Sequence, residues 1–304
     1  MGKLLLYGFM LALLGLLFVF ISALLFFLHL PFVPIFNTAK VLFLVFVITG
    51  IVDVVIVPIA NWHDRKLHYH PIRKPSFSVG MTAYNDELAI AGAVKDFTNA
   101  ENVVKVIVID NNCKDNTAKE ARKAGALVVE EKIQGYGAAC IRALKEARKY
   151  GNVVVLAEGD QTFSASDLKK LYAYLENADL VLGTRTTAEI VSPDSQVNWF
   201  MSYGNLFMAK LIQLRYWGKV RLTDVGCTFR MIRPEALDKI IHQLKVTGND
   251  FSPHMILVAL KNGLKVIEVP VTLRKRVGES KGVGSSMLKG LRNGFKMWWM
   301  ILMS

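Results

Sequence analysis

The chain opens on two apolar runs and then changes rhythm. Leu4 to Leu28 carries no charge, and Val41 to Ile59 is apolar except for Asp53 and Pro58. A helix needs about 20 apolar residues to cross a bilayer, so each run is long enough to span. A signal peptide has a shorter apolar core and a small-residue cleavage site, and no such site follows the first run. His29 to Lys40 contains Pro31 and Pro34 and reads as a tight turn. The pattern therefore predicts a two-helix membrane hairpin over residues 1–62. A linker over 63–75 follows, with His63, Arg65, Lys66, His68, His70, Arg73 and Lys74. Such a flank belongs on the cytoplasmic side, and Lys3 puts the N-terminus there too. Asp53 is a costly residue for a membrane helix. It marks either a functional position or an acid near the interface or paired with a neighbouring helix.

From residue 76 the pattern alternates between strand and helix. Strands are expected at Phe77–Met81, Val103–Asp110, Ala126–Glu130, Val153–Ala157 and Asp179–Leu182. Helices are expected at Asp86–Ala100, Asn116–Gly125, Gly137–Tyr150 and Asp167–Asn177. Near-continuous apolar strands alternating with helices predict an α/β domain with a mostly parallel sheet covered on both faces. Ligands of such sheets bind beyond the carboxyl ends of the strands, so polar residues just after those ends are the first candidates. The chain ends in Met287–Met300, where Leu288, Leu291, Phe295, Trp298 and Trp299 interleave with Lys289, Arg292 and Lys296. A basic interfacial helix over 283–304 fits this pattern; packing on the domain or a third span are the alternatives.

Composition sharpens the picture. Hydrophobic residues make up 52% of the 304 residues, concentrated at the N-terminus, and the net charge of +12 calls for an anionic partner. Nucleic acid, acidic headgroups and phosphorylated substrates all qualify by charge. The basic residues form no nucleic-acid reading module, which leaves the last two. Cys113, Cys140 and Cys227 are scattered and odd in number, which argues against a disulfide framework or a structural zinc site.

Five groups after the strand ends carry possible chemistry. Ala83-Tyr84-Asn85-Asp86-Glu87 is either a helix cap or a ligand loop. Asp110 ends a strand, where its carboxylate suits a nucleobase or ribose. Gln134-Gly135-Tyr136-Gly137 places two glycines before a helix, where backbone approaches either a ligand or another segment. Glu158-Gly159-Asp160 puts two carboxylates at a strand end, suited to a hard divalent cation or to a solvated turn. Arg185, Arg230, Arg233, Arg274, Arg276 and Lys281 supply cations for phosphate, or ordinary surface charge.

Taken in order over residues 76–282, these pieces resemble the GT-A nucleotide-binding domain of family 2 glycosyltransferases. Glu158-Gly159-Asp160 falls where that family keeps Asp-x-Asp. Gly183-Thr184-Arg185, Asp224 to Arg230, and Glu268-Val269-Pro270 with Arg274, Arg276, Ser280 and Lys281 resemble the branch that transfers sugars to polyprenyl phosphate. Glu158 for Asp, Asn111 for an acid after Asp110, and His254 for an acid depart from the pattern.

The resemblance implies a sugar transferred from a UDP- or GDP-linked donor to polyprenyl phosphate, with inversion, by a membrane-bound enzyme whose catalytic domain is cytoplasmic. It implies Mg²⁺ or Mn²⁺ at Asp160, with Glu158 as second ligand or touching the ribose. Ala83, Tyr84, Glu87, Asp110, Gln134, Gly135, Gly137 and Arg185 would serve the donor, and Ser202, Arg230, Arg274 and Ser280 the acceptor. Asp224, Arg276 and Lys281 would act at the reaction centre, Asp224 as base or acceptor-orienting group. A saccharide hydroxyl is the alternative acceptor, and an inactive membrane scaffold the non-enzymatic alternative. A processive polysaccharide synthase would carry Gln-x-x-Arg-Trp, which the chain lacks.

Overall fold

A computed structural model describes residues 3–56, 59, 67–195, 199–278 and 287–304. The chain divides into two compact units: Met1–Lys66 with Lys210–Val220, and Leu67–Ala209 with Arg221–Ser304.

The first unit is built on helices α1 (Lys3–Phe27) and α2 (Val33–Ile51), the latter continued by a π-helical turn, Val52–Ile56. The stretches Leu6–Phe27 and Val33–Ile56 are long and apolar enough to cross a membrane. Both are apolar all round yet mostly exposed, with Leu16, Leu17, Phe20, Leu44 and Val47 facing outward, a pattern compatible with a membrane span. Gly8 lies against Thr49 and Gly15 against Ala39 and Leu42, small residues that let the two helices approach closely. The second helix begins eight residues earlier than its apolar run predicts. Pro34 sits in the first turn, where proline is tolerated because its missing N–H has no intrahelical partner. The tight turn therefore shrinks from His29–Lys40 to the residues between α1 and α2. Asp53 is buried in the π-helical turn, and Arg215 is buried in the Lys210–Val220 segment; among the described residues these are the buried charges of this unit.

The second unit holds β1 (Phe77–Ala83), α3 (Ile90–Thr98), β2 (Val103–Asp110), α4 (Thr117–Lys123), β3 (Leu127–Glu130), α5 (Tyr136–Ala147), β4 (Val153–Glu158), α6 (Leu168–Leu175) and β5 (Leu180–Thr184). It continues with α7 (Trp199–Arg215), whose last turn belongs to the first unit, then β6 (Arg230–Ile232), α8 (Pro234–Ile240), α9 (Phe251–Lys261), β7 (Val266–Pro270) and α10 (Met287–Met303). The seven strands form one sheet in the order β3-β2-β1-β4-β6-β5-β7. All are parallel except β6, which runs antiparallel to β4 and β5. Every residue of β1 and β5 is buried, which requires cover on both faces. The α/β expectation holds. The antiparallel β6 was not foreseen, because three residues are too few to set a period.

Residues 67–74, expected as a linker, are docked on the second unit. Tyr172 donates to Ile72 O at 2.6 Å, Asn177 to His68 O at 2.9 Å, and His70 N to Glu176 O at 2.8 Å. Their backbone polar groups thus find partners that the charge pattern alone does not reveal. His63, Arg65 and Lys66 lie outside the described residues.

The first strand is pinned to the sheet's covering helix at Gly80. A Cβ there would stand 2.5 Å from Ala143 O of α5. Gly80→Ala is expected to cost about 1–3 kcal/mol through overpacking, read as a lower Tm of the full chain in detergent.

Candidate functional site

The carboxyl ends of β1, β2, β4 and β5 open onto one cavity of about 820 Å³. Of the residues expected for donor and metal, Ala83, Tyr84, Gln134, Gly135, Glu158, Asp160 and Arg185 line it; Arg274 and Arg276 line it as well. Glu87, Asp110, Gly137, Ser202, Asp224 and Arg230 stand outside the lining. Ser280 and Lys281 lie outside the described residues.

The acidic pair occupies the end of β4. Asp160 is 2% exposed. Its Oδ1 accepts from Thr162 N at 3.1 Å and Thr162 Oγ1 at 2.6 Å, and its Oδ2 meets Arg276 Nη1 at 3.0 Å. Arg276 also reaches Asp86 Oδ1 through Nη2 at 3.0 Å, so one guanidinium bridges two carboxylates from different loops. Burial works against the Arg276 charge, but Asp160 and Asp86 raise its pKa. Glu158 accepts a short hydrogen bond from Thr228 Oγ1. Burial first, then the Asp160 charge, push the Glu158 carboxyl up to about 7 against the pull of Thr228, Arg185 and Arg276.

The Asp160 carboxylate beside Glu158 opposes ionisation of Glu158, and an added cation would relieve that repulsion. Among the described residues no group of three or more His, Cys, Asp or Glu is arranged to hold a metal ion. The donor set is thus two carboxylates at most, which fits Mg²⁺ or Mn²⁺ completed by substrate phosphates and does not fit a closed protein cage.

Asp224 differs from its expected part as a base. Arg185 grips it in a fork, Nε to Oδ2 at 2.7 Å and Nη2 to Oδ1 at 3.0 Å. Gly226 N and Arg185 N also donate to it. Burial alone would raise its pKa, but Arg185 and these bonds hold it below the usual carboxylate range. The carboxylate is 3% exposed and spends its acceptors on fixing Arg185. Glu268 in turn accepts from Thr223 N and Oγ1, both at 2.7 Å, and from Asp224 N at 2.8 Å. The pair is therefore anchored to β7.

Other expected residues have structural partners. Arg230 is 1% exposed and donates to Cys227 O, Ser252 O and Val225 O, which holds the loop before β6 against α9 and takes the residue out of reach of an acceptor. Glu87 accepts from Asn116 N and Nδ2 at the start of α4. Asp110 accepts from Cys113 N at 2.9 Å. At the Gly-x-Gly loop the close approach is to protein: Gly137 N and Ala138 N donate to Thr247 O at 2.8 and 3.2 Å. A Cβ on Gly137 would collide with Val246 O. The N-terminus of α5 is thus occupied by backbone carbonyl, while Gln134 and Gly135 still face the cavity.

Three residues carry more of the site than the sequence suggested. Asp86, read as a cap, is the second anchor of Arg276. Asn111, noted as a departure, is buried and donates to Glu131 O at 3.0 Å and Ile133 O at 2.8 Å. It also accepts from Gly135 N at 3.0 Å. Only an amide can give and take in this way, so the pattern's acid would break the loop. Thr228 is the partner of Glu158, and only the antiparallel pairing of β6 with β4 reveals it. Beyond the charged end the cavity wall turns apolar, with Phe200, Phe207 and Met208 of α7 and Leu291, Phe295 and Trp298 of α10. Exposed Phe295 and Trp299 alternate with exposed Arg292 and Lys296 along α10, while Met297 and Ile301 are buried.

Comparison with known proteins gives these features a context. A sequence model described as "Glycosyl transferase family 2" matches residues 78–241, more than half of the chain. The low-salt glycan biosynthesis hexosyltransferase Agl6 of Haloferax volcanii is 28% identical over 211 residues, covering 68% of this chain and 49% of that relative. The chain thus aligns with only about half of that protein. The dolichyl-phosphate hexose transferase of the same organism is 29% identical over 224 residues, covering 70% of this chain and 92% of the relative. Among solved structures, glucosyl-3-phosphoglycerate synthase from Mycobacterium tuberculosis with Mn²⁺, UDP-glucose and phosphoglyceric acid superposes with a TM-score of 0.58. It is 18% identical and covers 75% of this chain and 80% of that one. The fold is the GT-A α/β fold preceded by two apolar helices, as the sequence led us to expect.

Two substitutions test the assignments above. Asp224→Asn leaves Arg185 as a buried charge without its counterion and is expected to cost about 3–5 kcal/mol; a base with no structural part would lose activity at unchanged Tm. Asn111→Asp removes the two N–H donors to the Glu131 and Ile133 carbonyls and is expected to cost about 1–3 kcal/mol, with faster amide exchange over residues 131–137.

Proposed function

The chain belongs to glycosyl transferase family 2, and from that premise we propose that it moves a sugar from a UDP- or GDP-linked donor to polyprenyl phosphate. The observation that carries this reading is the make-up of the one cavity: an acidic pair and three arginines at the strand ends, continued by an apolar wall from α7 and α10. A lipid phosphate needs both kinds of surface, whereas a soluble acceptor has no use for the second. The name of the Haloferax volcanii dolichyl-phosphate hexose transferase supports the same acceptor class.

In the proposed reaction an acceptor phosphate oxygen attacks the anomeric carbon. The bond to the nucleoside diphosphate breaks with inversion, and the electron pair leaves on the diphosphate. Mg²⁺ or Mn²⁺, held by Asp160 and Glu158, would neutralise charge on that leaving group. Arg185, fixed by Asp224, faces the donor phosphates. Arg274 and Arg276 meet the acceptor phosphate, and preorganised cations at developing charge are a large part of catalysis. A phosphate monoester is already an anion at neutral pH and needs no base. This agrees with an Asp224 that is engaged with Arg185 and unavailable for proton transfer. Ser280 and Lys281, close in sequence to Arg276, complete the proposed acceptor site. The two apolar helices anchor the enzyme, and the basic flank His63–Lys74 puts the catalytic unit on the cytoplasmic side.

The test uses the full chain in detergent with polyprenyl phosphate, Mg²⁺ or Mn²⁺, and a panel of UDP- and GDP-sugars, read by mass spectrometry. One lipid-phosphate sugar is expected from the wild type, with at least about 100-fold less from Asp160→Asn. Transfer only to a saccharide hydroxyl, or no transfer despite nucleotide binding, would refute the lipid-phosphate acceptor.

A further inference from the structure

A chain of three hydroxyls runs from α9 to the acidic pair. Ser252 Oγ lies 3.4 Å from Tyr136 Oη, Tyr136 Oη hydrogen-bonds Thr228 Oγ1, and Thr228 Oγ1 donates to Glu158 Oε1. The β4–β6 register explains why Thr228 is there. Val154 pairs with Ile232, Val155 with Met231 and Leu156 with Arg230; carrying the antiparallel ladder on by two residues sets Glu158 opposite Thr228. Thr228 and Ser252 are 2% and 3% exposed, so solvent does not compete for their hydrogen bonds.

Proton counting gives the chain a direction. A hydroxyl has one hydrogen. With Glu158 ionised, Thr228 gives its hydrogen to the carboxylate, so Tyr136 donates to Thr228 and Ser252 is left to donate to Tyr136. Each bond polarises the next towards the acid. None of the three touches the reacting atoms in the reading above, and none is needed to close the sheet.

We propose that Thr228 and Tyr136 are positioning residues that hold Glu158 by Oε1 and so present Oε2 to the divalent cation beside Asp160. This rests on the reading of Glu158 and Asp160 as the metal site. Glu has one more rotatable bond than Asp and therefore more orientations to lose on binding a cation. The relay removes that freedom in advance, as partners of metal ligands do elsewhere.

The experiment titrates the full chain in detergent with Mn²⁺ alone, reading free Mn²⁺ by electron paramagnetic resonance. Thr228→Val keeps shape and removes the donor; its Mn²⁺ affinity is expected to fall about 10–100-fold. Thr228→Ser, which keeps the hydroxyl, restores wild-type affinity. Tyr136→Phe shifts affinity in the same direction by less, and it tests the relay independently should Thr228→Val fail to fold. Unchanged affinity in Thr228→Val, or a Thr228→Ser variant as weak as Thr228→Val, overturns the relay. Asp160→Asn separates the two levels. Loss of Mn²⁺ binding there with no effect at Thr228 sinks the relay alone. Wild-type binding in Asp160→Asn sinks the metal site and the relay with it.

Discussion

Two carboxylates crowded at the end of one buried strand are the constraint around which the catalytic unit is organised. Taking a carboxylate from water is costly, and burial together with the Asp160 charge opposes ionisation of Glu158. The protein answers from several directions at once. Arg276, beyond β7, bridges Asp160 to Asp86, which follows β1. Thr162 holds the second oxygen of Asp160, and Thr228, just before β6, holds Glu158. Three segments distant in sequence, carrying Arg276, Asp86 and Thr228, thus meet at the end of β4. The central place of β4, between β1 and the antiparallel β6, makes this convergence possible.

Arg185 and Asp224 form a second centre that follows the opposite logic. Here a buried carboxylate and a half-buried guanidinium satisfy each other, and Glu268 fixes the acid through backbone N–H groups. The arrangement spends a carboxylate to aim a guanidinium. The two centres therefore divide the labour. One leaves negative charge that a divalent cation can relieve, and the other presents positive charge whose orientation is set before any ligand arrives.

The strands and helices from β1 to β5 were legible because their apolar runs are long and their ends carry turn residues, whereas β6, β7 and α7 to α9 were not read from the sequence. Glu158, Asp160, Arg185 and Arg276 were legible as well, since charged residues after parallel strands have few structural uses. What the sequence hid was the identity of each residue's partner. Arg230 and Arg185 look alike in the chain, yet Arg230 bonds to three carbonyls inside the core while Arg185 has a carboxylate and the cavity. Asp224 and Asp160 likewise look alike in the chain, yet Asp160 lines the cavity and meets Arg276 while Asp224 stands behind it and meets Arg185. Gly137 read as a site for ligand approach because a glycine records closeness without recording to what; here it is to Thr247. Thr228 carried no signal at all, since its part depends on a three-residue strand that periodicity cannot detect.

The engagement of Asp224 bears on the chemistry more than any other detail. A hydroxyl nucleophile needs a carboxylate that is ionised, near the cavity and free to accept a proton. Asp224 is ionised, but its acceptors are taken by Arg185 and Gly226. In the proposed site Asp160, set by Thr162 and Arg276, and Glu158, set by Thr228, serve the divalent cation. With the visible acids so employed, the proposed reaction draws its nucleophile from a group that is already anionic. Arg274 and Arg276 stand on the same cavity wall to receive it. The apolar surface of α7 and α10 that continues from them is then the second half of one recognition problem: an anion that arrives with a hydrocarbon chain attached.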